Sequence, residues 1–176
     1  MEYTDSRYRL ADEIGKHRRQ GQRAQHRADE DGGGHEGRLD VDQGLVGDNW
    51  LSRGSRHMPD GAADPDMQLN IMNSRVAALV ADDPARRELA GDQLYLDMDL
   101  SYENLPAGTR LALGDAVIEV TEPPHTGCRK FAERFGKEAV VFVNSGRGKA
   151  LNFRGINAKV IQSGDIRVGD VAKKMP

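Results

Sequence analysis

Apolar positions are unevenly spread along this chain. Gly15 to Arg38, "GKHRRQGQRAQHRADEDGGGHEGR", contains no Val, Ile, Leu, Met or aromatic residue. Such a stretch cannot bury enough surface to offset the entropy of ordering it, so it reads as a solvated or disordered segment. Patterned sequence begins at about Leu39, which divides the chain into a polar segment, 1–38, and a folded domain, 39–176. In "LDVDQGLVGDNW", Gly44 and Gly47 bracket a short apolar pair and mark a tight turn. Residues 53–66 are polar, with Gly and Pro, and read as a loop. "MQLNIMN" (Met67 to Asn73) alternates as a half-buried strand does. "SRVAALVA" then predicts a short helix capped by Ser74 or Asn73, and Pro84 in "DDPARREL" suits a first helical position.

The second half predicts more strand. "DQLYLDMDL" (Asp92 to Leu100) sets Leu94, Leu96, Met98 and Leu100 against polar neighbours. "TRLAL" and "AVIEV" flank Gly114-Asp115, a two-residue loop suited to a type II′ hairpin. Pro123-Pro124 stops the second of these strands. "CRKFAERF" follows as a helix with Phe131 and Phe135 on one face. "EAVVFVNS" is open between helix and strand. "FRGINAKVIQ" and "IRVGD" close the chain as strands. Many short strands, Gly turns and a few short helices predict a mainly β fold, a closed or nearly closed barrel.

Composition narrows the function classes. Charged residues make up 30% of the chain, yet the net charge is only -3, without the basic excess of a nucleic-acid binder. No apolar run approaches a membrane span, and the N-terminus lacks the apolar stretch of a secretory signal, so a cytoplasmic protein is expected. One cysteine allows no internal disulfide and no multi-cysteine zinc site. His17, His26 and His35 are spaced nine apart, which is not a metal-ligand spacing.

The chemistry concentrates in "EPPHTGCRKFAERFG", Glu122 to Gly136. A thiolate is the reactive form of cysteine, and a helix N-terminus with neighbouring cations favours it. Thr126 is a plausible N-cap, which would set Cys128 in the first turn beside Arg129 and Lys130. His125 could supply or accept a proton. Lys130 and Arg134, four apart, would form a basic flank for a phosphate or carboxylate. The competing reading is structural: Cys128 shares a helical face with Phe131 and Phe135 and could be a small core residue.

Three blocks then bring in a known family. "GLVGDNW", "GDQLYLDMDLSYENLPAGTRLALGDAVIEVTEPPHTGCRKFAERFG" and "RGINAKVIQSGDIRVGD", together covering about Leu39 to Asp170, resemble the MOSC domain, named for the C-terminal domain of molybdenum-cofactor sulfurases. The resemblance implies a β-barrel-rich fold with Cys128 as the hallmark sulfur-handling or molybdenum-ligating residue. It implies sulfur carriage as a persulfide, binding of the molybdenum cofactor, or cofactor-dependent reduction. Expected partners are a small-molecule or pterin ligand and a sulfur donor or redox partner protein. Family-level descriptions also mention pyridoxal phosphate, which full-length sulfurases carry in a separate domain. This chain has no room for that domain and no lysine that reads as a Schiff-base site. Asn49 follows Asp48 where the family commonly has arginine. Relatives usually place an apolar strand where Gly15 to Arg38 lies, so the barrel is expected to be incomplete at its N-terminal seam.

Other residues carry paired readings. Asp48 either orients a ligand or caps backbone. Asn70, on an apolar strand, must be hydrogen-bonded to backbone or to ligand. Arg154 fits a pocket-lining cation or a surface ion pair. Asp97 and Asp99 read as a solvated strand face and, less readily, as a hard-cation site. "SGRGKA" (Ser145 to Ala150) lacks phosphate-loop spacing and reads as a flexible turn. The functional expectation is a sulfur carrier or molybdenum-cofactor protein using Cys128 and His125, with Lys130, Arg134, Asp48, Asn70 and Arg154 toward the cofactor. The alternative is a non-enzymatic barrel that binds a ligand or partner.

Overall fold

The computed structural model describes residues 36–176. The disorder expected for the polar segment falls mainly on residues outside these. Its last three residues do not follow that expectation: they open strand β1, Glu36–Asp40. The partner explains this. Strand β8, Gly164–Arg167, runs antiparallel to β1, and their side chains alternate in charge. Arg167 meets Glu36 at 2.8 Å and Arg38 meets Asp165 at 2.9 Å across the pair. Cross-strand charge pairing stabilises a strand that its own apolar content would not.

Strand β2, Gly44–Leu45, completes a three-stranded sheet in the order β2-β1-β8. Short helix α1, Trp50–Arg53, follows. The larger sheet contains β3 (Leu69–Asn73), β4 (Leu94–Leu96), β5 (Arg110–Leu113), β6 (Ala116–Val120), β7 (Ile156–Gln162) and β9 (Lys173–Lys174), in the order β4-β3-β7-β6-β5-β9. Only Ser163 separates β7 from β8, so one length of chain turns the corner between the sheets. The two curl into a half-barrel. Its interior is filled by Leu39, Leu69, Ile71, Leu94, Leu96, Leu111, Ile118 and Ile166.

The sequence predicted a strand over Asp92 to Leu100, but the ladder holds only Leu94–Leu96. Alternation is misleading here because the sheet is covered on both faces. Leu94 and Leu96 enter the barrel, while Tyr95 and Met72 face a second core with Ala77, Ala90, Phe131 and Val143. Beyond β4, side-chain amides replace the ladder: Asn73 donates to the Met98 carbonyl and Asn152 to that of Leu100. Asp97 and Asp99 therefore share no strand face. Asp97 pairs with exposed Arg75, and Asp99 accepts from the backbone N–H of Ser101.

The second core is roofed by short helices. Helix α2, Ser74–Ala81, is capped by Asn73, whose side chain accepts from the N–H groups of Arg75 and Val76. A 3-10 helix, Pro84–Ala90, starts at the expected proline with Asp83 as its cap. Gly114 at φ 53 opens the β5–β6 hairpin. Helix α3, Arg129–Phe135, holds Phe131 in the core. "EAVVFVNS" resolves as helix α4, Lys137–Asn144, with Val143 inward. "SGRGKA" is not a flexible turn but helix α5, Gly146–Ala150, capped by the Ser145 hydroxyl. No helix among the described residues is long and apolar enough to cross a membrane.

Candidate functional site

A loop from Pro123 to Cys128 leaves β6 and enters α3, and two amide side chains hold it. At its start, Asn157 on β7 donates to the Pro123 carbonyl at 2.8 Å. The same Asn157, itself buried, accepts from the half-buried Asn70 on β3, so the two amides form a row. At its end, Asn144 makes two bonds to one residue. The Gly127 N–H donates to Asn144 Oδ1 at 2.8 Å, and Asn144 Nδ2 donates to the Gly127 carbonyl at 2.9 Å. Gly127 is also confined sterically: a Cβ there would lie 2.9 Å from Val143 Cγ2.

Cys128 follows and is exposed. Its dihedrals, φ -110 and ψ -179, make it the N-cap of α3, with no capping bond from its side chain. The sequence placed the cap at Thr126 and the cysteine inside the first turn. The structure moves the helix start by two residues, and Gly127 bonds the Asn144 side chain through both its N–H and its carbonyl. Cys128 does not join Phe131 and Phe135, which pack ring against ring with centroids 4.9 Å apart. The thiol is therefore not a core filler.

His125 points the other way. Its side chain is 12% exposed, and Nδ1 lies 3.5 Å from Asp92 Oδ1. That nitrogen is buried and hydrogen-bonded to nothing among the described residues. Burial first, and the Arg154 charge second, hold the imidazole's pKa well below its usual range, so it is neutral near pH 7. His125 Nδ1 therefore makes no hydrogen bond to Cys128. His125 instead lines a cavity of about 280 Å³ with Tyr102, Glu122, Lys149 and Asn152, and Cys128 lies outside that lining.

Behind His125 sits a buried ion pair that the sequence reading did not anticipate. Arg154 Nη1 lies 2.8 Å from both carboxylate oxygens of Asp92, and Nη2 donates to the Ala90 carbonyl at 3.0 Å. The guanidinium stacks 4.9 Å from the Phe131 ring centroid. Arg154 is thus neither the pocket cation nor the surface ion pair expected; it is a structural charge beneath α3.

The remaining predicted site residues are similarly engaged. Asp48 accepts from the Trp50 N–H and from Gln93 Nε2, so it ties the first residue of α1 to the start of β4. Arg134 donates to the Leu89 carbonyl, and its own carbonyl accepts from Arg86, which binds α3 to the 3-10 helix. Lys130 is exposed one residue beyond the first residue of α3. The arrangement brings Cys128 and Lys130 to the surface and sends His125 inward, while Asn70, Asp48, Arg134 and Arg154 each bond another part of the chain. Sequence reasoning missed Asp92, Asn144 and Asn157. Asn157 shares strand β7 with Lys159 and Gln162, so nothing in the sequence signals that its side chain is buried.

A larger cleft, about 680 Å³, lies between α1 and the loop after it, lined by Trp50, Arg53, Arg56 and Met67. None of the residues singled out for chemistry lines it.

The described residues contain no cluster of three or more His, Cys, Asp or Glu that could hold a metal ion. The MOSC domain profile matches residues 64–173. Among solved structures, the chain resembles YiiM from Escherichia coli at a TM-score of 0.54 and 22% identity, covering 81% of this chain and 63% of that one. It resembles YiiM from Geobacillus stearothermophilus at 0.50 and 19%, covering 64% and 56%. YuaD protein from Bacillus subtilis gives 0.51 and 19%, covering 78% and 82%. At these identities the likeness is one of fold. The chain spans about three fifths of the length of the two YiiM chains. No curated protein matches.

Proposed function

This chain belongs to the MOSC domain family, and on that premise we propose that it carries sulfur on Cys128, as a persulfide taken from a donor and passed to an acceptor. The observation that supports this reading is the exposure of its single thiol on a backbone held in place from behind. A buried cysteine could not meet a macromolecular donor; this one can.

The transfer needs no outside oxidant. The Cys128 thiolate attacks the terminal sulfur of a donor persulfide, a new S–S bond forms at Cys128, the donor's own S–S bond breaks, and the donor leaves as a thiolate. The acceptor's nucleophile then attacks the outer sulfur, and Cys128 leaves as the thiolate that began the cycle. Negative charge resides on Cys128 at the start and end of each turn. Lys130, exposed two residues on in the first turn of α3, adds positive charge to this surface. His125, neutral and facing the cavity, acts as an uncharged hydrogen-bonding group toward a small molecule lodged there.

The molybdenum cofactor fits the described residues only at one point. Cys128 offers the soft ligand such a metal takes. The pterin and its phosphate would need several polar contacts, and Asp48, Asn70, Arg134 and Arg154 already have protein partners. Lys130 alone remains of that set. No step is therefore routed through the cofactor.

The test is direct. Incubation with a low-molecular-weight persulfide should add one sulfur atom to the protein, seen by intact mass, lost on reduction and absent in Cys128→Ser. Sulfur transfer that persists in Cys128→Ser, or a native protein that takes up no sulfur, overturns the reading.

A further inference from the structure

The cavity that His125 lines has two kinds of wall. Its floor is apolar, from the buried side chains of Leu105, Val120 and Ile156. Part of its polar lining is already engaged: Thr121 donates to the Asp66 carbonyl, Asn152 to that of Leu100 and Asn157 to that of Pro123. The rest is not. Tyr102, Glu122 and Lys149 line the same space, and their side chains make no hydrogen bond or ion pair among the described residues. Tyr102 is 68% exposed, so its ring belongs to neither core and its hydroxyl is available at the mouth. Glu122 and Lys149 place opposite charges on one cavity of about 280 Å³ without pairing with each other. A guest of a single charge would leave one of them facing it uncompensated; a guest of both signs suits the pair.

His125 lies deeper. Gly155 makes room for its ring, since a Cβ there would run into the Ile71 carbonyl and lie 3.2 Å from His125 Nδ1. Nδ1 faces the Asp92 carboxylate at 3.5 Å. Negative charge on that side favours the tautomer with its proton on Nδ1, which leaves Nε2 a hydrogen-bond acceptor. Nε2 has no partner within the protein and, unlike Nδ1, is not sealed from solvent, so it opens to the cavity that the ring lines.

We propose that this cavity binds a small zwitterion, an α-amino acid with an aliphatic side chain. The ammonium lies between the Glu122 carboxylate and His125 Nε2. The carboxylate meets the Lys149 ammonium and the Tyr102 hydroxyl, and the side chain rests on Leu105, Val120 and Ile156. The volume is at the low end of ligand pockets, about 300–1,000 Å³, which limits the guest to a small molecule. Cys128 lies outside the lining, so this binding goes beyond sulfur carriage and does not rest on it.

The experiment titrates the isotope-labelled full chain with L-leucine and with its two singly charged relatives, 3-methylbutylamine and 4-methylpentanoate, and follows backbone amide shifts. Leucine should bind saturably with a dissociation constant of about 1 mM or lower, and the shifts should centre on Tyr102, Glu122, His125, Lys149 and Gly155. Each relative should bind about tenfold more weakly, because it leaves one wall charge without a partner. Lys149→Met and Glu122→Gln alter exposed side chains, and thermal melting checks that they stay folded. Each should weaken leucine about tenfold, while Lys149→Met leaves the amine's affinity unchanged and Glu122→Gln leaves the acid's unchanged. The absence of a saturable shift with leucine up to about 10 mM overturns the proposal. So does a relative that binds as tightly as leucine, or leucine affinity unchanged in both variants. Sulfur uptake at Cys128 is read by mass on the same preparations, so failure of this site and failure of the carrier reading are seen separately.

Discussion

Arg154 grips both carboxylate oxygens of Asp92 at 2.8 Å from a position 62 residues away, with both side chains out of solvent. Two charges in a low-dielectric interior are held by their geometry, and removal of either leaves the other uncompensated. Asp92→Ala or Arg154→Met alone should cost about 3–5 kcal/mol of folding free energy. The paired change Asp92→Leu with Arg154→Met should cost markedly less than either. Urea unfolding of the three variants checks this, and a double variant as unstable as the singles would contradict it.

The lowered pKa of His125 makes stability depend on pH in a definite direction. The unfolded imidazole takes up its proton near pH 6.5, while the folded one does so only at lower pH. Between those two values the unfolded state binds more protons, so stability falls as the solution is acidified through this window and is fully present above it. The slope from this one group reaches at most about 1.4 kcal/mol per pH unit. His125→Asn should flatten the fall between pH 6.5 and 5.5, measured by denaturant midpoints.

Gly127 should tolerate nothing larger than hydrogen. Gly127→Ala forces its methyl against a β-branched side chain that has little room to turn. A loss of about 1–3 kcal/mol is expected from overpacking of this kind. Adding Val143→Ala should return part of it, whereas no recovery would place the strain elsewhere.

The amide row at the loop's base predicts a further cost. Asn157→Ala leaves the half-buried Asn70 amide and Pro123 carbonyl without their partner, at a total cost of about 1–3 kcal/mol. Cys128→Ser, by contrast, changes an exposed position and should stay within about 0.5 kcal/mol of the parent. A large destabilisation by that substitution would mean the thiol packs after all.

Much of the fold was legible because its signals are local. The Asn73 cap, Pro84 at a first helical position, the Gly114 hairpin and the strand through Asn70 each follow from a few adjacent residues. What escaped depends on partners far along the chain. Glu36 to Arg38 form a strand only because Arg167 and Asp165 lie opposite. Met98 and Leu100 continue the alternation of β4, yet amides from Asn73 and Asn152 take the place of a ladder. The chemistry divides the same way. "PHTGC" marks its loop plainly, but nothing near Arg154 in the sequence announces Asp92. Nothing beside Gly127 announces Asn144, 17 residues on in another helix.

The helix that begins at Cys128 stands on Phe131, which lies over the Arg154 guanidinium, and is strapped at its far end through Arg134. Tilting it would drag an aromatic ring off a buried cation. On the proposed reading the sulfur therefore rides on a fixed post and not on a swinging arm. Whatever delivers the atom and whatever collects it must dock on the same patch in turn, so the two visitors exclude one another, and an excess of the emptied donor should slow delivery to the acceptor.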